Sequence, residues 1–248
     1  MSILLLIVAG LLAGALNAVA GGGTFLSFPA LVWAGVPPIM ANATATLSAL
    51  PGYIGSAFAY RRDIRPGTVI GLPVLLALAV AGGLLGALLL LITPSQVFSG
   101  VVPWLLLLAT LAFAAGPTLL RLLLRQRKGL SRLSALVLLA AICIYGGYFN
   151  GGLGIMLLAG FGLVGLSNLH EMNGLKNLLS AILSLVSVVT YIAAGLIDWP
   201  SALIVAPSCA VGGIAGAWMA RRIRNMVALR IFITVTGLVM TVAFFLSS

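Results

Sequence analysis

Long apolar stretches alternate with short polar breaks along the whole chain, and this pattern predicts a series of membrane helices. A helix needs about 20 apolar residues to cross a bilayer, where only helices and closed barrels satisfy their backbone hydrogen bonds. Breaks rich in Pro, Gly, Asn or Arg divide the chain into ten segments. These segments are 3–19, 24–33, 42–60, 69–92, 97–119, four between 133 and 220, and 227–246. The four are separated by breaks near 150–152, 168–173 and 198–200, and the third of them begins near residue 175.

Basic residues are concentrated in three short clusters, at 61–65, 121–132 and 221–224. Short loops rich in Lys and Arg stay in the cytoplasm, so the number of crossings between two such loops is even. Two segments fit between the first and second clusters, and four fit between the second and third. The pattern therefore predicts ten segments with both termini outside the cytoplasm.

Composition supports a membrane protein, because 62% of the residues are hydrophobic and only 6% are charged. A net charge of +10 would point to nucleic acid in a soluble chain. Here the arginines flank apolar segments, so we expect them to set the topology and to face anionic lipid, with no nucleic-acid partner. Cys143 and Cys209 lie inside predicted segments and are interpreted as small core residues.

The two halves of the chain show an ordered series of matches. At an offset of 133 or 134 the matching pairs are Gly14 and Gly147, Asn17 and Asn150, Gly21 and Gly154, Pro66 and Pro200, and Pro73 and Pro207. Glycines at 82, 83 and 86 match those at 212, 213 and 216. Loops that are basic in one half are uncharged at the equivalent place in the other, so equivalent loops lie on opposite sides.

These matches predict an all-α polytopic membrane protein of two inverted-topology repeats, each with five segments. The predicted first repeat is 1–120, a basic cytoplasmic linker covers 121–132, and the second repeat is 133–248. The second segment of each repeat is short, and whether 24–35 and 153–166 span fully or re-enter is left open.

Each short segment follows a glycine-rich break, and such half-helices are typical of transporter binding sites. Free backbone N–H groups at a helix start hold anions. The alternative is that the glycines only allow close helix packing. We prefer packing for Gly82, Gly83, Gly86 and their counterparts, and a binding site for the two breaks that contain Asn.

The predicted substrate-binding residues combine these two breaks with polar residues in the segments that follow. They are Asn17, Gly21, Gly22, Gly23, Thr24, Thr44, Asn150, Gly151, Gly152, Gly154, Lys176 and Asn177. Lys176 either binds an anion or extends its amino group to the membrane surface. His170 and Glu171 are proton-coupling candidates, with the alternative that both are solvated and that Glu171 starts a helix.

Several short motifs resemble the sulfite exporter TauE/SafE family of membrane proteins. They are 21-GGG-23 followed by 28-FPAL-31, 35-GVPP-38, 41-ANATA-45, 60-YRRDI-64, 151-GGLG-154, 176-KN-177 and 195-GLIDW-199. The resemblance covers nearly the whole chain. It implies transport of a small sulfur-containing anion such as sulfite, thiosulfate or an organosulfonate across the bacterial inner membrane, with export coupled to an ion gradient by alternating access.

An enzyme is disfavoured, because the chain has one His and three scattered acidic residues and no Walker, zincin or nucleophile-elbow motif. We therefore expect no metal site and no cofactor. The alternatives are a non-transporting membrane scaffold or assembly protein, and a permease for another small anion. The partners expected are a sulfur oxyanion, membrane lipid and, in one arrangement, a second copy in a homodimer.

Overall fold

The computed structural model describes residues 2–64, 70–125, 130–220 and 226–247, and these residues form ten helices joined by short loops. The helices are α1 (Ser2–Ala20), α2 (Thr24–Trp33), α3 (Pro38–Ala59), α4 (Leu72–Ile92), α5 (Ser95–Arg125), α6 (Arg132–Tyr148), α7 (Leu153–Val164), α8 (Leu169–Ala193), α9 (Trp199–Ala220) and α10 (Met226–Ser247). The predicted all-α polytopic fold is confirmed. The basic cluster at 221–224, Arg65 and residues 126–129 of the predicted linker lie outside the described residues.

Two helices begin earlier than the sequence predicts, and local capping explains both. Pro38 occupies the first turn of α3, where its missing N–H costs nothing. α8 begins at Leu169, not near residue 175, because the Asn168 side chain accepts hydrogen bonds from the N–H groups of His170 and Glu171. The expected break at 168–173 therefore ends at its first residue.

Four helices in the described ranges are long and apolar enough to cross a membrane. They are Leu72–Ile92, Ser95–Ala112, His170–Ala193 and Trp199–Gly216. Shorter apolar helices accompany them, among them α2 with 10 residues and α7 with 12. At 1.5 Å per residue these two are about 15 and 18 Å long, which is roughly half of a 30 Å hydrocarbon core.

Equivalent helices of the two halves run in opposite directions. α3 and α8 are antiparallel, because Gly174 near the start of α8 contacts Tyr60 at the end of α3. α5 and α10 are also antiparallel, with Trp104 on Phe245 and Thr110 on Gly237. The opposite directions are what an inverted repeat requires, and these four helices in addition pack against their own counterparts in the other half.

The helix starts and ends fall at two ends of the bundle. We call the end where α3 finishes the Arg61 end and the other, where α2 finishes, the Trp33 end. α9 runs parallel to α3, since Asp198 just before α9 donates its N–H to Thr44 Oγ1 in the second turn of α3. The helix ends that flank all three basic clusters therefore lie at the Arg61 end, in agreement with the parity of the arginine clusters.

Each short helix folds back along the helix before it. The start of α2 at Gly23 packs on Ala13 and Asn17 of α1, and Gly160 of α7 packs on Ile142 and Leu139 of α6. The Leu130 N–H just before α6 donates to the carbonyl of Leu163 at the end of α7 (3.1 Å). α7 therefore returns to the Arg61 end, while α2 returns to the Trp33 end, where α3 begins.

Glycines bring α4 against α6 and α9 against α1 at equivalent depths. A Cβ on Gly82 or Gly86 would collide with the backbone of α6 at Cys143 to Tyr148, and one on Gly212 or Gly216 would collide with α1 at Leu11 or Ala15. The predicted packing role of these glycines is confirmed. The contact of α4 with α6 and the contact of α9 with α1 are equivalent in the two repeats, so the same close helix packing occurs in both halves.

Candidate functional site

The two glycine breaks meet in the interior of the bundle. A Cβ placed on Gly154 would lie 3.2 Å from the carbonyl oxygen of Gly21, and one on Gly21 would lie 3.6 Å from the Cα of Gly154. Gly21 (φ +76°) and Gly152 (φ +75°) have left-handed backbone, which other residues rarely adopt. The chain can approach itself this closely because neither break carries bulky side chains.

Lys176 on α8 lies against this meeting point. Its Nζ would be 3.6 Å from a Cβ on Gly21, and its Cδ would be 3.4 Å from a Cβ on Gly154. The side chain is only 5% exposed, and Nζ donates to Asn173 Oδ1 at 3.2 Å. The amino group therefore points into the protein and does not extend to the membrane surface.

None of the three carboxylates neutralises Lys176, although all three lie in the described ranges. Asp198 accepts from the Ser201 N–H (3.1 Å) and caps α9. Glu171 lies in the first turn of α8, and Asp63 follows α3 at the Arg61 end. An uncompensated buried charge is strongly unfavourable, so the site favours an incoming anion.

Two helix starts add partial positive charge at the breaks. α2 begins directly after residues 21–23, and α7 begins directly after residues 150–152. None of the backbone hydrogen bonds described at the breaks is donated by the N–H of Gly22, Gly23 or Gly154. The Thr24 hydroxyl is also buried and has no partner within the described chain.

Asparagine side chains support the breaks from the side. Asn150 is held at both ends of its amide: its Oδ1 accepts from the Tyr53 hydroxyl (3.0 Å) and its Nδ2 donates to Ser184 Oγ (2.8 Å). Asn17 lies close by, with its Nδ2 3.4 Å from a Cβ placed on Gly52, while its Oδ1 has no partner among the described residues. Asn150 therefore positions the second break and ties it to Tyr53 of α3, and Asn17 lies beside the same turn of α3.

A cavity of about 810 Å³ lies between α1, α3 and α9. Its wall includes Asn17 and Gly23 of the first break and extends to Tyr60 and Asp63 at the Arg61 end. Small residues of α1, α3 and α9 form most of the remainder. The volume falls in the range of small-molecule sites. The cavity thus connects the Arg61 end with the first glycine break.

The remaining predicted residues are spread around this centre. Gly151 accepts the Tyr145 hydroxyl through its carbonyl (2.7 Å), and Asn177 is buried beside Lys176 on α8. Thr44 is engaged elsewhere, since its hydroxyl holds the loop before α9. His170 is exposed and Glu171 is half-buried at the start of α8. Sequence reasoning missed Tyr53 and Ser184, whose partners lie far away in the chain.

Comparison with known proteins adds the family. A family model described as sulfite exporter TauE/SafE matches residues 6–244. A probable membrane transporter protein of a Sinorhizobium species is 33% identical over 169 residues, which are 64% of this chain and 62% of that protein.

Two further relatives are matched over more of their length. A probable membrane transporter protein of Haemophilus influenzae is 29% identical over 211 residues, covering 85% of this chain and 82% of the relative. The probable membrane transporter protein YfcA of Escherichia coli is 28% identical over 216 residues, covering 86% and 77%. No solved structure matches the chain.

Proposed function

The chain belongs to the sulfite exporter TauE/SafE family of multi-pass membrane transporters, and we propose that it exports a small sulfur oxyanion across the bacterial inner membrane. The substrate class is sulfite, thiosulfate or an organosulfonate. Export is coupled to an ion gradient and proceeds by alternating access between the two sides of the membrane.

The single observation that carries this proposal is the buried Lys176 ammonium, which has no carboxylate partner and lies against the two glycine breaks. An oxyanion at this point neutralises the charge and accepts hydrogen bonds from N–H groups at the starts of α2 and α7. One cation between two equivalent helix starts suits a single small anion. The buried Thr24 hydroxyl adds a further donor.

Coupling is assigned to the start of α8 as part of the proposal. His170 is exposed and Glu171 is half-buried, about two helical turns from Lys176 and at the Arg61 end. A proton bound there changes the charge of α8, which is the helix that carries Lys176.

Flux of radiolabelled sulfite in proteoliposomes tests the function. We expect wild-type protein to move sulfite, and Lys176→Gln to lower kcat/KM by about tenfold or more, because hydrogen bonds to charged groups are worth roughly 1.5–3 kcal/mol. Arg62→Gln is the matched control, since it removes an exposed positive charge outside the site and leaves flux within about twofold.

Three outcomes contradict the proposal in different ways. Equal flux in Lys176→Gln and wild type places the site elsewhere. Flux of chloride or sulfate without flux of sulfite, thiosulfate or sulfonates makes the protein a permease for another anion. Absence of flux for every anion, with folded protein in the vesicles, supports the scaffold alternative.

A further inference from the structure

Two equivalent three-helix groups differ in how tightly they pack. The first group is α1, α3 and α9, and its counterpart under the repeat is α6, α8 and α4. A Cβ on Gly213 of α9 would meet only the Gly14 carbonyl oxygen, at 3.7 Å. At the equivalent Gly83 of α4 it would lie 2.8 Å from the Leu183 carbonyl oxygen and 3.3 Å from Leu183 Cγ. The first group is open and its counterpart is closed.

Two hydroxyl groups of α8 hold the closed group together. Ser187 Oγ shares its one proton between the Gly83 carbonyl of α4 (3.1 Å) and the Leu183 carbonyl of its own helix (3.0 Å), and the Tyr191 hydroxyl donates to the Gly147 carbonyl of α6. The two side chains are four residues apart and therefore lie on one face of α8. They join α8 to both other helices of its group.

The open group has equivalent hydroxyl groups and carbonyl acceptors, but no hydrogen bond between them is described. Aligning the first residues of α3 and α8, Pro38 and Leu169, places Ser56 on Ser187 and Tyr60 on Tyr191. The acceptors also have counterparts, because Gly213 matches Gly83 and Gly14 matches Gly147. All four of these residues, Ser56, Tyr60, Gly14 and Gly213, line the cavity.

We propose that the cavity is the water-filled entrance by which the anion reaches the glycine breaks from the Arg61 end, and that Ser56 and Tyr60 close it by donating to the carbonyls of Gly213 and Gly14. The closed group opens toward the Trp33 end in the same movement. The nature of the cargo rests on the proposed function, whereas the entrance and its closing residues rest on the comparison of the two groups.

Cysteine accessibility tests the entrance without any substrate. Cys143 and Cys209 are first replaced by Ala, and Gly55→Cys is compared with Ile54→Cys. Gly55 lines the cavity and has open space around an added Cβ, whereas Ile54, its neighbour on α3, is 51% exposed on the outer surface. The probe is a charged, membrane-impermeant methanethiosulfonate added to the Arg61 side of oriented membranes.

We expect the Gly55→Cys variant to react at least about tenfold faster than Ile54→Cys, because thiol modification proceeds through the thiolate, which needs water. Equal and slow reaction at both positions overturns the proposal, since the cavity would then be filled by lipid or collapsed.

Paired hydroxyl deletions test the closing residues in the Gly55→Cys background. Ser187→Ala with Tyr191→Phe weakens the closed group and shifts the equilibrium about tenfold toward the alternative state. We expect labelling at position 55 to fall as a result, by about twofold when the alternative state starts at about one tenth of the population. Ser56→Ala with Tyr60→Phe weakens only the alternative state, so labelling stays or rises while sulfite flux falls.

The opposite directions distinguish this mechanism from general loosening. A change in the same direction for both pairs, or no change for either, overturns the assignment of Ser56 and Tyr60. Ser56→Thr with Tyr60 intact keeps both hydroxyls and retains flux. Correct labelling without flux of any sulfur oxyanion contradicts the proposed function alone, and flux without labelling at position 55 contradicts the entrance alone.

Discussion

At the scale of single residues, Lys176 is the main residue of the proposed anion site. The two equivalent asparagines, Asn17 and Asn150, have different roles. Asn150 binds Tyr53 through its Oδ1 and Ser184 through its Nδ2, so it holds the break in place, and these bonds engage only one of the two N–H groups of its amide. Asn17 keeps an unpartnered oxygen and lines the cavity. Residues that look equivalent in the sequence are therefore used differently.

Replacing Lys176 by Met separates stability from binding. A buried charge without a counter-ion costs more than an apolar side chain of similar size, so we expect the Tm of Lys176→Met without ligand to equal or exceed that of wild type. Sulfite at 100 times the wild-type Kd stabilises the wild type by about 2.7 kcal/mol, and a variant that binds tenfold or more weakly gains about 1.4 kcal/mol or less at the same concentration. Thermal unfolding in detergent, with and without sulfite, measures both effects.

A lower Tm for the ligand-free Met variant contradicts this expectation, because it would show that Lys176 serves the fold through its bond to Asn173. Arg62→Gln again provides the control, with sulfite raising its Tm as in the wild type.

The residues that the sequence did not reveal share one property. Tyr53 and Ser56 are ordinary polar positions on α3 and Tyr60 directly follows it. The partner of Tyr53 is Asn150 in the second glycine break, and the counterparts of Ser56 and Tyr60 lie on α8. Hydrogen-bond pairing between positions so far apart in the chain leaves no local pattern. The glycine breaks were predictable because glycine next to an apolar segment is itself a backbone signal.

At the scale of helices, breaks and lengths could be predicted well and starting residues less well. Pro, Gly and Arg interrupt apolar runs wherever a helix ends, which gave the ten segments. The start of α8 was misplaced because His170, Glu171 and Asn173 resemble a loop in composition, whereas Asn168 caps a helix that includes them. Side-chain capping overrides composition at such a boundary.

Close helix approach depends on glycine at equivalent positions in the two halves. In Gly86→Ala the new Cβ collides with the α6 backbone, and in Gly212→Ala it collides with the backbone of α1 at Leu11. Backbone atoms cannot move aside as the end of a flexible side chain can. We expect each substitution to lower the Tm by several degrees, since overpacking costs about 1–3 kcal/mol. Gly55→Ala is the control, because nothing lies near its Cβ and alanine favours the helix.

Size-exclusion profiles and thermal unfolding of the three alanine variants measure these effects. Unchanged stability in Gly86→Ala and Gly212→Ala would contradict the packing role of the glycines.

At the scale of the whole molecule, arginine distribution predicts the orientation in the membrane. We expect Arg62→Cys and Arg222→Cys to react only from the cytoplasmic side and Trp33→Cys to react only from outside, because the first two positions belong to basic clusters and Trp33 ends α2 at the other end of the bundle. Impermeant and permeant maleimides on intact cells distinguish the sides. Labelling of position 222 from outside contradicts the ten-segment topology.

The inverted arrangement was predictable from charge, because equivalent loops with opposite charge must lie on opposite sides. The sequence did not predict that one three-helix group is open and the other closed. Both groups carry the same hydroxyl and glycine positions, so the sequence does not indicate which of the two is closed. Repeat boundaries at 120 and 133 remain predictions.

The antiparallel contacts of α3 with α8 and of α5 with α10 have a consequence for ancestry. Each helix meets its own copy, which is the form of an isologous interface between identical subunits related by a two-fold axis. A gene half as long would encode a five-helix unit. To cover its third and fifth helices as they are covered here, this unit would need a second copy inserted with the opposite orientation in the membrane. Fusion of two such units in one chain fixes their opposite orientations and gives equal numbers of each orientation. Separate subunits would reach equal numbers only if half of them inserted in each direction.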